Sequence, residues 1–306
     1  MVCFLCTVKL QRGVYMKKTA LTFFSVLLLI MTLSACDGSK GPTYEVDGGL
    51  LFYEETEGSI EITGYEGRIE NLEIPASISK RGTLKDVRII APFAFKDSPL
   101  INVIIPDTLR GIGFEAFKNS KSLETVTFTS NSTLYYIEEG AFENTQSLES
   151  ITLPSGLRYI EQRTFHGSGI QSVDFEDGAT LETIQGSAFE NASALSAIEL
   201  PGTLIDIGEA AFKNTNLTSI NLGPSIQYLA HEAFHETPNL TTITIEASEQ
   251  FPDLIVGLGG DRLSCNYPFD ESGASLSIFV PKTLLETYKE DDDWRHFSSH
   301  LIPLTE

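Results

Sequence analysis

Cysteine is scarce where it would matter. The 306 residues hold four, and Cys3, Cys6 and Cys36 all fall in the first 36 positions, leaving Cys265 alone in the body. One thiol has no partner within the chain, so an internal disulfide framework is excluded. Acidic residues are missing before Cys36, whereas Lys9, Arg12, Lys17 and Lys18 stand there. Elsewhere positive charge is thin: from Cys36 onward 17 basic residues face 42 acidic ones, a formal charge of −25. That field repels phosphate backbones and anionic headgroups, which excludes nucleic acid as a partner. Histidine occurs five times, too few and too scattered to assemble a Ser, His and Asp set. No catalytic residue, metal or cofactor is expected, and the chain reads as no enzyme. Long apolar runs are absent too: the longest near the start, Ala20 to Leu33, has 14 residues, short of the roughly 20 that span a bilayer. Apolar residues are nonetheless 42% of the chain and aromatics 10%, enough for a core in one large or two modest domains.

The short apolar run suits export. Met16-Lys17-Lys18 opens a basic region before it, the layout of a signal peptide. Translation is therefore expected to begin at Met16, leaving residues 1–15 as an upstream mis-start and 16–35 as the signal. Leu33-Ser34-Ala35-Cys36 resembles the lipobox of bacterial lipoproteins. That resemblance implies acylation of Cys36, which then starts the mature chain; an ordinary signal peptide with an incidental cysteine is the alternative. Several acyl chains give the stable anchoring that one does not. Membrane contact is expected through this anchor only, with 36–43 as a linker.

The body is organised by repetition. Ala94-Phe95, Ala116-Phe117, Ala141-Phe142, Thr164-Phe165, Ala188-Phe189, Ala211-Phe212 and Ala233-Phe234 recur every 22 to 25 residues. Leu100, Leu123, Leu148, Ile170, Leu195, Leu217 and Leu240 keep the same beat, each followed three residues later by Val or Ile. One unit reads L-x-x-I-x-L-P-x-x-L-x-x-I-x-x-x-A-F-x-N, as in Leu195–Asn214. Its L-x-x-I-x-L part alternates with the period of a short strand buried on one face. Pro106, Pro154 and Pro201 end that strand by lacking an N–H. A second extended piece follows, as in Leu157–Ile160, and the Ala-Phe turn then drops its ring inward. Two residues after each ring stand Asp97, Asn119, Asn144, Gly167, Asn191, Asn214 and Glu236, mostly residue types that tolerate a left-handed corner.

A single coil buries too little, but stacked coils share one core. At about 4.8 Å per coil, eight coils extend roughly 40 Å. The expected layout is an N-terminal cap over 44–70, a repeat solenoid over 71–245, and an irregular final coil with a C-terminal cap over 246–306. Leu50–Tyr53 and Ile60–Ile62 read as a capping hairpin, Leu276–Pro281 as the last strand and Leu284–Trp294 as a closing helix. From about Tyr44 to Ile302 the chain resembles the BspA-type leucine-rich repeats of bacterial surface proteins, whose units pair I-x-L-P with A-F. Asn stands where that family often carries Cys. The resemblance implies a solenoid of short β-strands with turns or short helical corners, and a role in adhesion or in binding host or matrix proteins.

Several motifs suggest chemistry and fail on context. His231-Glu232-Ala233-Phe234-His235 spells H-E-x-x-H, the zinc-protease pattern, which needs a sustained helix and a third ligand. Here Ala233-Phe234 is the repeat's own pair, so a zinc metalloprotease is the remote alternative. Gly257-Leu258-Gly259-Gly260 lacks the Lys-Ser/Thr pair and helix of a phosphate loop. Asp291-Asp292-Asp293 lacks the alternating spacing of a calcium loop. The acceptor patterns at Asn131, Asn191, Asn216 and Asn239 are incidental to Thr- and Ser-rich turns.

Binding is expected along side chains pointing out of aligned strands. In the first strand these are Thr127, Thr152, Asp174, Glu199, Asn221 and Thr244, following Ile104. On the second segment Tyr135, Tyr136 and Tyr159 come from successive coils. They stack either to receive a sugar ring or only to stiffen the sheet. The reading is an exported, membrane-anchored bacterial lipoprotein at the cell surface, binding a host matrix or envelope protein; a glycan-binding module is the alternative.

Overall fold

The computed structural model describes residues 41–246, 252–255, 268–269 and 275–304. The segment expected to be a signal peptide, Cys36, Cys265 and Gly257–Gly260 lie outside the described residues. From Asn71 on, the chain winds into coils with two short strands and one ring-bearing corner each.

The first strand of each coil forms a parallel ladder along one side. Its members are Asn71–Glu73, Asn102–Ile105, Thr125–Phe128, Ser150–Leu153, Ser172–Phe175, Ala197–Ile198, Ser219–Leu222, Thr242–Ile245 and Ser277–Val280. Register follows the sequence repeat: Val103 faces Val126, Ile151 faces Val173, and Ile220 faces Ile243. The second ladder runs through Thr83–Ile90, Gly111–Ile112, Tyr136–Ile137, Tyr159–Ile160, Thr183–Ile184, Asp206–Ile207, Tyr228–Ala230 and Asp253–Ile255. Alternation puts Ile137, Ile160, Ile184 and Ile207 in the core and turns their neighbours to the outer face, whereas Gly111 beside the buried Ile112 is itself buried.

The corners carry the third side. Phe95, Phe117, Phe142, Phe165, Phe189, Phe212 and Phe234 are all fully buried, and each ring lies on the next. Centroids are 5.3, 5.2, 5.6, 5.3, 5.2 and 5.2 Å apart, with planes within 10° of parallel. Offset stacking at this distance adds about 0.5–1.5 kcal/mol per pair beyond area burial. Tyr65 starts the column at 5.7 Å from Phe95, and Phe269 continues it at 5.6 Å from Phe234.

Each ring is flanked by left-handed residues on both sides. The expected set, Asp97, Asn119, Asn144, Gly167, Asn191, Asn214 and Glu236, has φ between 54° and 63°. A second set lies two residues before each ring: Phe93, Glu115, Gly140, Arg163, Ser187, Ala210 and Glu232. Nothing in those residue types announces it. Left-handed backbone costs a non-glycine residue roughly 1–2 kcal/mol, so something must hold it. That something is a ladder between corners: Glu115 N–H donates to Glu139 O (3.0 Å), Phe117 N–H to Ala141 O (2.8 Å) and Asn119 N–H to Glu143 O (2.8 Å). Every second N–H across the corner is thereby spent on the following coil. Amides reinforce it from outside, with Asn119 Nδ2 donating to Asp97 Oδ1 and Asn144 Nδ2 to Asn119 Oδ1, both at 3.0 Å. Gly167 interrupts this amide ladder, since a Cβ there would sit 2.5 Å from Asn144 Oδ1.

Both ends differ from the plain hairpin, last strand and single helix expected. Thr43–Val46, Gly49–Thr56 and Ser59–Gly67 form an antiparallel meander, whose third strand pairs in parallel with Thr83–Ile90. Ser77–Lys80 folds back antiparallel on Thr83–Ile90, a hairpin inside the first coil. At the far end the helix is shorter, Leu285–Glu290, and a 3-10 turn follows at Trp294–Phe297. Ser277–Val280 is not the last strand, because Leu301–Pro303 returns to pair with it. These pieces seat Trp294 and Phe297 against Phe269, at 6.2 and 5.3 Å, and Tyr288 against Trp294 at 4.9 Å. The Trp294 indole N–H donates to Pro252 O at 2.7 Å. The column is thus closed by aromatic side chains instead of ending in water.

Phe142→Ala, at mid-column, should cost about 3–5 kcal/mol in equilibrium denaturant unfolding. Thr152→Ala, on the surface, should stay within about 0.5 kcal/mol. A Phe142→Ala midpoint equal to that of wild type would deny the column its role.

Candidate functional site

The first ladder presents the expected ribbon. Thr127, Thr152, Asp174, Glu199 and Asn221 are exposed and Thr244 is half-buried. Register aligns Ile104 with Thr127, Thr152 with Asp174 and Asn221 with Thr244. The adjacent row is tied together at its start, where Asn102 Nδ2 donates to Asn71 Oδ1 and Thr125 Oγ1 to Asn102 Oδ1, each at 2.6 Å. Asn221 Nδ2 donates to Glu246 Oε1 at 2.8 Å. Short side chains at strand spacing offer a flat surface rich in hydroxyls and amides, with two carboxylates near its middle.

The tyrosines do not form the stacked platform that the sequence suggested. Tyr136 points out of its strand and lies flat over Gly111 of the preceding coil, where a Cβ would come within 2.0 Å of its Cζ. Tyr159 sits under Arg158, whose Cζ is 5.8 Å from the ring centroid and whose guanidinium is ion-paired to Glu182. Tyr135, 54% exposed, turns toward Arg158. Among the described residues no ring contact joins any two of the three.

A row of carboxylates on the same ladder escaped the sequence reading. Tyr136-Ile137-Glu138 and Tyr159-Ile160-Glu161 repeat one pattern, with the isoleucine inward and both neighbours outward. Period-two alternation alone would have found them. Burial pushes Glu138, Glu161 and Asp206 above the usual carboxylate range. Glu61 of the cap is raised as well, by burial and then by Glu54 and Glu138. Burial, with Glu138 and Glu61 nearby, pushes the Tyr136 hydroxyl up to about 12. Glu138 Oε2 accepts the Phe114 N–H at 2.8 Å, which offsets part of its cost.

The corners carry the opposite arrangement. Lys96, Glu115, Lys118, Glu143 and Arg163 form an alternating chain over successive coils, with contacts of 2.6, 2.7, 3.0 and 2.7 Å. Burial works against the charged form of Glu143, but hydrogen bonds from Arg163 and Lys118 outweigh it and hold the carboxyl low.

His231-Glu232-Ala233-Phe234-His235 lies in this corner and not on a helix. Glu232 has φ of 57°, its carboxylate pairs with Lys213 at 2.6 Å, and His231 Nε2 lies 3.2 Å from Glu209 Oε1. Left-handed backbone at the second residue breaks the helical face that the zinc pattern requires.

Short parallel strands, stacked corners and an outward ribbon on a repeat of 22 to 25 residues define a leucine-rich-repeat solenoid, a scaffold for interaction. A family model described as the BspA type leucine rich repeat region matches in six copies over residues 88–193 and 135–252, more than half of the chain. The chain belongs to the BspA-type leucine-rich-repeat family. It is similar to a leucine rich cell surface protein of Faecalibacterium prausnitzii, at 24% identity over 79% of this chain and 71% of that one, with a TM-score of 0.61. It is also similar to a leucine-rich repeat protein of T. pallidum, at 21% identity over 78% and 92%, with a TM-score of 0.51. At these identities the likeness is one of fold. No curated protein matches the chain. Among the described residues no helix is long and apolar enough to cross a membrane.

The two carboxylate classes titrate in opposite senses. A raised folded pKa stabilises the fold below the ordinary carboxylate value and loses that contribution as pH rises through the raised value; a lowered one does the reverse. Glu161→Gln should therefore raise the melting temperature at pH 7, with the gain shrinking on acidification. Glu143→Gln should cost roughly 1.5–3 kcal/mol at pH 7, the scale of hydrogen bonds to charged groups, with the loss shrinking on acidification. Thermal melts from pH 7 to 3 check both, and parallel shifts at every pH would contradict the assignment.

Proposed function

We propose that this chain is a lipid-anchored cell-surface binding protein, tethered through Cys36 and presenting the first-ladder ribbon to a protein partner in host matrix or envelope. The aligned row of Thr127, Thr152, Asp174, Glu199, Asn221 and Thr244 carries this reading. Apart from Glu199 its side chains are short, so ordering them on binding costs little entropy. Many small contacts spread over several coils then add to a usable affinity. The lipobox-like Leu33-Ser34-Ala35-Cys36 supports the tether, and the family's surface-protein character agrees with it. A glycan partner is the second reading, supported by the exposure of Tyr135 beside the Arg158–Tyr159 pair.

Cells displaying the full chain should adhere to immobilised matrix-protein extract. The triple variant Thr127→Lys, Thr152→Lys, Asn221→Lys should lower adhesion at least tenfold, because three long cations break a flat surface. Cys36→Ser should move the protein from the membrane to the soluble fraction. Unchanged adhesion in the triple variant sinks the ribbon, and a membrane-bound Cys36→Ser protein sinks the tether.

A further inference from the structure

The second ladder has a surface of its own, distinct from the ribbon. Tyr159, Thr183, Asp206 and Tyr228 are successive register partners along it, and Tyr136 heads the row one coil earlier. Glu138 and Glu161 stand two residues beyond Tyr136 and Tyr159. Carboxylate and aromatic side chains therefore share one sheet face across five successive coils.

These carboxylates differ from their neighbours in having no counter-charge. Among the described residues no ion pair reaches Glu138, Glu161 or Asp206. Residues 122–246 contain 17 acidic and three basic residues. All three cations have other partners: Arg163 pairs with Glu143 and Lys213 with Glu232 at the corners, while Arg158 lies over Tyr159 and pairs with Glu182. None of the three is ion-paired to Glu138, Glu161 or Asp206. Each half-buried carboxylate on this face has lost part of its hydration and gained no cation in exchange.

We infer that the second-ladder face, through Tyr136, Glu138, Tyr159, Glu161, Asp206 and Tyr228, docks an extended, arginine- or lysine-rich segment of another protein. Charge complementarity selects the occupant. The carboxylates are spread coil by coil and do not converge on one point, which suits a linear polycation better than a single ion. Four steps of about 4.8 Å span roughly 19 Å, and six extended residues at about 3.3 Å cover the same length. The exposed Tyr228 ring adds cation–π attraction, which favours arginine, and Arg158 over Tyr159 makes a contact of the same kind on this face. Anionic partners meet the same field with the wrong sign.

The test uses the full chain in detergent and a fluorescein-labelled hexapeptide, Arg-Thr-Arg-Thr-Arg-Thr, read by anisotropy at low salt. A citrulline-substituted hexapeptide keeps the shape and removes the charge. Wild type should bind the arginine peptide and not the citrulline one. Glu138→Gln with Glu161→Gln should weaken binding at least tenfold. Glu124→Gln with Glu149→Gln removes the same charge from exposed positions before the first-ladder strands and should weaken it less than threefold. Should the first double variant melt early, Glu161→Gln alone carries the comparison. Equal weakening by both double variants would reduce the effect to net charge and overturn the inference. So would equal binding of the citrulline peptide, no binding at all, or capture of a neutral glycan that Tyr136→Ala with Tyr159→Ala abolishes. The adhesion experiment reads different residues, so this face and the ribbon stand or fall separately.

Discussion

The stacked phenylalanines are the constraint from which the rest follows. A buried ring 5.2 to 5.6 Å from its neighbours leaves no freedom for one coil to slip against the next. Both strand ladders therefore inherit their register from the corner. Insertions of one to three residues between successive rings are absorbed outside this column, which explains a repeat that varies from 22 to 25 residues without losing alignment. An open column would expose aromatic area at each end. Tyr65 covers one end, while Trp294 and Phe297 cover the other.

The ring demands much of its flanks. Ala94, Ala116, Ala141, Ala188, Ala211 and Ala233 are buried beside it, and only a small side chain leaves room for adjacent coils to close. Thr164 departs from alanine and directs its hydroxyl to Glu161 O at 2.8 Å, satisfying the one polar atom it brings inside. Hydroxyls three residues after the ring work similarly: Thr145 and Thr215 donate to the carbonyls of Phe142 and Phe212 at 2.8 and 2.9 Å. Thr145, Thr164 and Thr215 are thus paired within their own turn, whereas the Ser120 hydroxyl donates to Phe95 O of the preceding coil at 2.8 Å and the backbone N–H groups of the corner reach to the next coil.

This division explains what the residues announce and what they conceal. Ring, strand and left-handed asparagine positions were legible because one residue type recurs wherever one environment recurs. The left-handed set before each ring was not. Its members range from Phe93 to Gly140 to Glu232 because the inter-coil hydrogen bonds, and not side-chain preference, impose the conformation. The hairpin at Ser77–Ile90 and the final strand Leu301–Pro303 occur once each, so no repeat could reveal them. The tyrosines misled for a related reason. Their spacing was read correctly, but Gly111 opens a seat that draws Tyr136 away from Tyr159, and that seat depends on a residue one coil back.

Outside the core, selection of charge is uneven, and physics ties the unevenness to place. A corner carboxylate such as Glu143, only 6% exposed at its side chain, would be costly to bury unless paired, and two cations meet it. The second-ladder carboxylates keep more contact with solvent, and the Phe114 N–H offsets part of the cost at Glu138, so they persist without a counter-charge. Stability explains the first group and gives no reason for the second. Neutral residues such as Thr183 and Gln185 fill equivalent positions in the next coil without disturbing the stack. Carboxylates kept half-dry beside aromatic faces are a surface held ready for positive charge, and the fold bears their desolvation cost without a counter-charge in return.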